Sequence, residues 1–169
     1  LDHVIVAGSA PDGCASLSGL METSANSDDI VAMETGAPYL LLYTSGTTAA
    51  PKGVPHVYRS LLNNALLSAQ EMQIGPDSRI LSLAPMSHLY GLFTFHLALA
   101  SGTAAVLVPA FNPKTLPPDL QAARATHVYA APAHFAPLVA QNVLNPEHLA
   151  GIQLLCLSGA AVPRSLAVA

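Results

Sequence analysis

Basic side chains are scarce: 6 Lys and Arg stand against 10 Asp and Glu in 169 residues, for a formal charge of −4. So little positive charge supplies no patch that could neutralise a nucleic-acid backbone or grip an anionic membrane surface, and both partners are excluded. Cysteine is nearly absent. Cys14 and Cys156 stand far apart with no Cys-x-x-Cys pair, which argues against a disulfide framework and for a reducing compartment, so a cytoplasmic location is expected. No secretory leader is expected either, because "LDHVIVA" opens directly on an apolar, strand-like run without a charged region or a small-residue cleavage site. Charge itself disappears between Ile80 and Pro113, a stretch long enough to raise the question of a membrane span. Pro85, the polar pair Ser87-His88 and the break Ser101-Gly102-Thr103 divide it into strand, helix and strand, and no span is expected. His127, His134 and His148 are scattered, and neither cysteine has a neighbouring histidine, so no metal site and no thiol nucleophile is expected.

What the sequence does have is alternation. Short apolar runs at Val4–Ala7, Tyr39–Tyr43, Arg79–Ala84, Ala104–Val108, His127–Ala130 and Ile152–Leu157 read as strands. Between the second and third, Val57–Met72 places Tyr58, Leu61, Leu62, Ala65, Leu66, Ala69 and Met72 on one side of a helical wheel. Arg59, Asn63, Gln70 and Glu71 fall on the other side. Leu89–Ala100, Pro117–Arg124 and Pro132–Asn142 are further helices, with a short one at Ala15–Met21. Strand–helix alternation with short connections predicts an α/β fold, a mostly parallel sheet with covering helices. Residues 9–35 are richer in Ser, Gly, Asp and Asn and read as a connecting region.

The stretch "YTSGTTAAPKGV", residues 43–54, crowds the hydroxyls of Thr44, Ser45, Thr47 and Thr48 ahead of Pro51, Lys52 and Gly53. It follows an apolar strand and precedes the amphipathic helix, where loops at the carboxyl ends of sheet strands usually bind ligands. Hydroxyls and free backbone N–H groups donate hydrogen bonds, lysine adds a point charge and glycine admits a ligand to the backbone, a set complementary to phosphate oxygens. It is not a Walker A loop, which would need Gly at Pro51 and a hydroxyl at Gly53. Composition alone leaves a phosphate loop and an ordinary polar turn both open.

The order of residues closes that choice. "SGTT" followed by "PKG" resembles the signature of the adenylate-forming superfamily, which comprises acyl- and aryl-CoA ligases, luciferases and peptide-synthetase adenylation domains. "PMSHLYGL" (Pro85 to Leu92) resembles its Pro-x-x-His-x-x-Gly segment, and "LSGAAVP" (Leu157 to Pro163) its Ser-Gly-Ala/Gly-Ala-Pro segment. "KGVPHVYRSLL" (Lys52 to Leu62) resembles the run after the loop, with Val57-Tyr58 where Thr-His is usual.

The resemblance implies an ATP-dependent ligase that makes an acyl-adenylate from an apolar carboxylic acid and then an acyl thioester. ATP, Mg2+ and coenzyme A are the implied cofactors and substrates, with the acid as small-molecule partner. A carrier-protein phosphopantetheine in place of coenzyme A, or no thiol step, remains open, as does a non-catalytic nucleotide- or acyl-binding module of the same descent. The resemblance assigns Thr44, Ser45, Gly46, Thr47, Thr48 and Lys52 to phosphate contact, His88 with Lys52 to catalysis, and Gly159, Ala160 and Ala161 to a strip beside the adenine. His88, Tyr90 and Gly91 match positions around the acyl group. Met86 and Phe93 read as core, with one of them a candidate for the acyl pocket. Ala110 replaces a basic residue that some relatives carry after the strand-ending proline, and Ala49 replaces a family glycine. By the same resemblance, residues 1–35 are the end of a preceding subdomain and connecting region. Residues 36–169 are an AMP-binding subdomain cut short on its C-terminal side. The family's Tyr-Gly-x-Thr-Glu segment, ribose-binding aspartate and C-terminal lysine are expected beyond residue 169, so the chain is expected to be an inactive internal fragment whose partner is the rest of the parent enzyme.

Overall fold

The structure is a computed structural model and describes residues 4–22, 32, 34–44 and 51–168. The chain divides into two units, Leu1–Met33 and Glu34–Ala169. In the first, β1 (Ile5–Val6) pairs in parallel with β2 (Ala15–Ser16), and α1 (Leu17–Glu22) follows. Ala15 and Ser16, expected in the helix, join the strand instead, and Ser16 Oγ accepts from Gly19 N at 3.0 Å, satisfying one of the free N–H groups at the start of α1.

The second unit starts with an antiparallel pair, β3 (Pro38–Thr44) and β4 (Lys52–Val57), in register Thr44 to Lys52, Leu42 to Val54 and Leu40 to His56. This corrects the sequence reading, which ran the hydroxyl-rich loop directly into the helix. A second strand intervenes, and the loop joins the two strands of an antiparallel pair that forms its own sheet. α2 (Tyr58–Glu71) follows at once. Ala65 and Ala69 are buried on its inner side, whereas Leu66, expected there, is 47% exposed.

The remaining elements are β5 (Arg79–Ser82), α3 (Leu89–Ser101), β6 (Ala104–Leu107), α4 (Leu116–Ala122), β7 (His127–Ala130), α5 (Pro132–Ala140), α6 (Pro146–Leu149), β8 (Leu154–Leu157) and α7 (Arg164–Ala167). The four strands form a parallel sheet in the order β6-β5-β7-β8. Both faces are covered, as an all-parallel sheet requires. Ile80 and Tyr129 pack with Ala69, Leu97 and Ala98 of α2 and α3, while Leu81, Leu83, Val128 and Ala130 pack with Leu116 and Leu120 of α4 and Phe135 and Leu138 of α5. The alternation along β5 and β7 is the period-2 consequence of strand geometry.

Strand order decides where a ligand can sit. The chain goes from β5 outward to β6 and then returns across β5 to β7, so the connections leaving β5 and β7 diverge to opposite faces of the sheet. That reversal opens a crevice at the carboxyl ends of the two strands.

Candidate functional site

A cleft of about 460 Å³ occupies that crevice. Ala84, Pro85 and His88 come from the connection after β5, Ala131 and His134 from the start of α5, and Ser158 and Gly159 from the turn after β8. Tyr90 and Phe93 of α3 and Asn64 of α2 complete the wall. Among the described residues no Asp, Glu, Lys or Arg lines it.

His88 is placed by a turn and a cap. Its N–H donates to Pro85 O at 3.0 Å, and its extended backbone makes it the N-cap of α3. The cap is made by imidazole: Nδ1 accepts from Tyr90 N at 3.1 Å. With Nδ1 occupied as an acceptor, the ring hydrogen belongs on Nε2. Gly91 lets α3 approach this turn, because an added Cβ would overlap the Pro85 carbonyl and lie 2.8 Å from Ala84 O. Gly91 is buried, so its visible contribution is close packing of the helix that carries His88.

Tyr90 lines the cleft with its ring, and its hydroxyl is committed elsewhere, donating to Cys156 O at 3.0 Å and tying α3 to β8. Burial, with Cys156 beside it, pushes this phenol far above its usual range, and burial does the same to Tyr129. Both phenols are therefore neutral donors throughout the physiological range. Phe93 packs edge-on to Tyr129 at 6.1 Å and also lines the cleft, while Met86 lines the neighbouring cavity.

His134 stands in the sequence as one of three scattered histidines to which no site role is given. It too lines the cleft, and its Nδ1 accepts from Ala131 N at 3.1 Å at the start of α5. Burial lowers its pKa, favouring neutral imidazole. Two histidines from separate helix starts thus share one chamber, each with Nδ1 held by a backbone N–H. Position in sequence carried no sign of this, since the two residues are brought together only by the parallel pairing of β5 with β7. Asn64 was equally hidden. His127 and His148 have structural partners: His127 bridges Thr126 Oγ1 and Met72 O within the buried sheet, and His148 closes a capping box with Asn145.

A smaller cavity of about 310 Å³ lies against the antiparallel pair, lined by Leu42, Thr44, Val54, His56, Ser87 and His88, among others. Directly opposed residues of an antiparallel pair project to the same side, so Thr44 and Lys52 belong to the face that carries Leu42, Val54 and His56. His88 borders both cavities. Ser45, Gly46, Thr47, Thr48 and Ala49 lie outside the described residues. Gly159 reaches the cleft in a left-handed conformation, φ 89°, which suits glycine, while Ala160 and Ala161 are exposed beyond it. Ala110 lines a neighbouring cavity together with Met86. Among the described residues no group of three or more His, Cys, Asp or Glu could hold a metal ion, and no helix is long and apolar enough to cross a membrane.

Residues 4–169 match the sequence profile of the AMP-binding enzyme family. The chain belongs to that family. Among curated AMP-binding relatives, it is 31% identical over 132 residues to a 4-chlorobenzoate–CoA ligase of an Arthrobacter species, covering 76% of this chain and 25% of that protein. It is 31% identical over 170 residues to an indoleacetate–CoA ligase of Aromatoleum aromaticum, covering 98% of this chain and 33% of that protein. Among solved structures it resembles the O-succinylbenzoate coenzyme A synthetase of Bacillus subtilis in complex with AMP. There the TM-score is 0.77 at 28% identity, over 91% of this chain and 32% of that one. The α/β fold and the parallel sheet are those of adenylate-forming enzymes. The chain spans a quarter to a third of the length of these curated relatives.

Proposed function

We propose that the chain forms the acid-binding and part of the phosphate-binding region of a longer ATP-dependent acid–thiol ligase. In this reading a carboxylate oxygen of an apolar acid attacks the α-phosphorus of ATP. The bond from that phosphorus to the bridging oxygen of the β-phosphate breaks, and pyrophosphate leaves with the electron pair. The thiolate of coenzyme A, its proton released to solvent, then adds to the acyl carbon and AMP departs.

The observation that carries this reading is the position of His88. It borders an uncharged cleft on one side and, on the other, the cavity next to Thr44 and the face that bears Lys52. A carboxylate whose apolar body fills the cleft would meet the Nε2–H of His88 just where it must approach a phosphate held by Thr44, residues 45–48 and Lys52. An anion attacking a polyanion needs such fixed donors, because positioning and charge stabilisation supply most of the acceleration. Tyr90 serves as wall and Gly91 as the close approach behind it, with Gly159, Ala160 and Ala161 bordering the adenine. Mg2+ accompanies ATP in this reading, but the described residues offer it no ligand cluster, and none of these steps is assigned to it.

Residues 1–35 are assigned to the end of a preceding subdomain and 36–169 to the AMP-binding subdomain. The two free, half-buried cysteines support a cytoplasmic setting. The test is thioester formation by the full-length native protein with ATP, coenzyme A and a panel of monocarboxylic acids, read by mass spectrometry. Acyl-CoA and AMP in equal amounts are expected with uncharged ring acids. Absence of both the adenylate and the thioester across the panel would overturn the reading.

A further inference from the structure

The cleft has a neighbour. A second cavity of about 610 Å³ opens at the carboxyl ends of β5 and β6, lined by apolar side chains such as Leu83, Met86, Leu107, Val108 and Phe111. The two cavities have Ala84, Pro85 and His134 in common. Ala84 and Pro85 belong to the start of the connection that leaves β5. His134 is the largest of the three side chains that the two cavities share.

That ring is held from two sides. Ala131 N donates to its Nδ1 at 3.1 Å, and Phe111, which lines the second cavity alone, packs against it with ring centroids 4.8 Å apart and planes at 49°. A ring fixed at one nitrogen and braced on one face does not swing aside for a ligand without losing both contacts. Among the described residues no charged side chain lines either cavity, so the space beyond the ring is as suited to hydrocarbon as the space before it.

We propose that His134 is the partition that sets the length of the acid: it ends the chamber next to His88, and a smaller side chain would join that chamber to the apolar cavity behind. This rests on the ligase reading for the place of the carboxylate and adds a residue that selects the substrate. The native protein then takes compact acids, a ring or a short chain, and rejects those whose tails must pass residue 134. A pocket that fits or refuses one methylene discriminates by about 10–200-fold, so moving a wall by a whole side chain changes the preferred length and not merely the rate.

The test uses the full-length native protein and two series, benzoate to 6-phenylhexanoate and butyrate to dodecanoate. Binding is read by calorimetry and activation by ATP–pyrophosphate exchange. His134→Ala opens the wall but loses the cap. His134→Asn shortens the side chain and keeps an acceptor for Ala131 N. His134→Phe keeps the wall without the acceptor. The expected result is an optimum displaced by two or more methylenes in His134→Ala and His134→Asn, with a gain of about tenfold or more for the longer acids, and an unmoved optimum in His134→Phe. An unchanged optimum in His134→Ala and His134→Asn, both shown folded by thermal unfolding, would overturn the proposal. So would a displacement in His134→Phe equal to that in His134→Ala. If acids bind and no exchange occurs, the ligase reading fails while the binding optimum still decides the partition. If neither wild type nor His134→Ala binds any acid, the partition is refuted too.

Discussion

The antiparallel pair and the parallel sheet divide the labour of this molecule. β5 and β7 are buried on both faces, with Leu81 and Val128 fully inaccessible, whereas Leu41 of β3 is 52% exposed and Tyr43 67% exposed. Yet the pair carries Thr44 and Lys52, the ends of the phosphate-loop signature, and the sheet carries the cleft. Stability is therefore concentrated in the sheet, and the phosphate chemistry proposed above falls to the pair, with His88 bordering the cavities of both. Loops that must admit and release a polyanion are drawn from the less stable parts of a fold, while the walls that measure a substrate need the rigid part.

The sharpest way to break the comparison is to shorten one leucine in each region. Leu81→Ala is expected to cost about 2–5 kcal/mol, because the side chain is fully buried against α4 and α5 and leaves a cavity. Leu41→Ala should stay within about 0.5 kcal/mol. Urea unfolding measures both, and equal losses would mean that the pair is as much a part of the core as the sheet.

A smaller effect is expected from Tyr90→Phe. It removes the hydrogen bond to Cys156 O that ties the cleft wall to β8, at about 0.5–1.5 kcal/mol, and the same unfolding assay checks it. The raised phenols of Tyr90 and Tyr129 give this region an alkaline limit. In the unfolded chain they ionise near their ordinary value of about 10, and in the folded protein they stay protonated well above it. Their contribution is complete below about pH 10 and is lost as pH rises further. Thermal unfolding between pH 8 and 11 should show a fall beginning near 10, less steep in Tyr90→Phe.

The smallest effect lies on the acid side. The depressed pKa of His134 means that the unfolded chain binds this proton first, so its contribution is complete above about pH 6.5 and declines as pH falls towards the folded value. Comparing wild type with His134→Phe from pH 5 to 8 should show a slightly shallower acid slope in the variant.

How much of this was legible in the sequence depended on whether neighbours in the chain made the feature. β7 was read as His127–Ala130, its observed span, because a short apolar run bounded by Thr126 and Pro132 is a local signal. α3 was read from Leu89 because an uncharged run follows a polar pair. β4 was missed: "KGVPHV" contains Gly53 and Pro55, residues that argue against a strand, and it is extended only because β3 pairs with it along one edge. Leu66 was misplaced for a related reason. α2 meets α3 through a narrower strip than the wheel suggested, one centred on Ala65 and Ala69. The motif histidine, His88, was legible by resemblance, while His134 and Asn64 were not, since only the strand order β6-β5-β7-β8 brings their helices to the same crevice.

The central claim is that the uncharged cleft and the Lys52 face serve one reaction, meeting at His88. Acid-dependent ATP–pyrophosphate exchange by the full-length native protein, with KM determined separately for acid and ATP, tests it most directly. Lys52→Ala should lower the exchange rate by about 10²–10³-fold, the usual loss when one preorganised donor is removed, with little change in the KM for acid. His88→Ala should raise the KM for acid as well as lower the rate, because His88 borders both cavities. Wild-type rates in Lys52→Ala together with an unchanged acid KM in His88→Ala would contradict the account, leaving the cleft and the antiparallel pair as separate features of the fold.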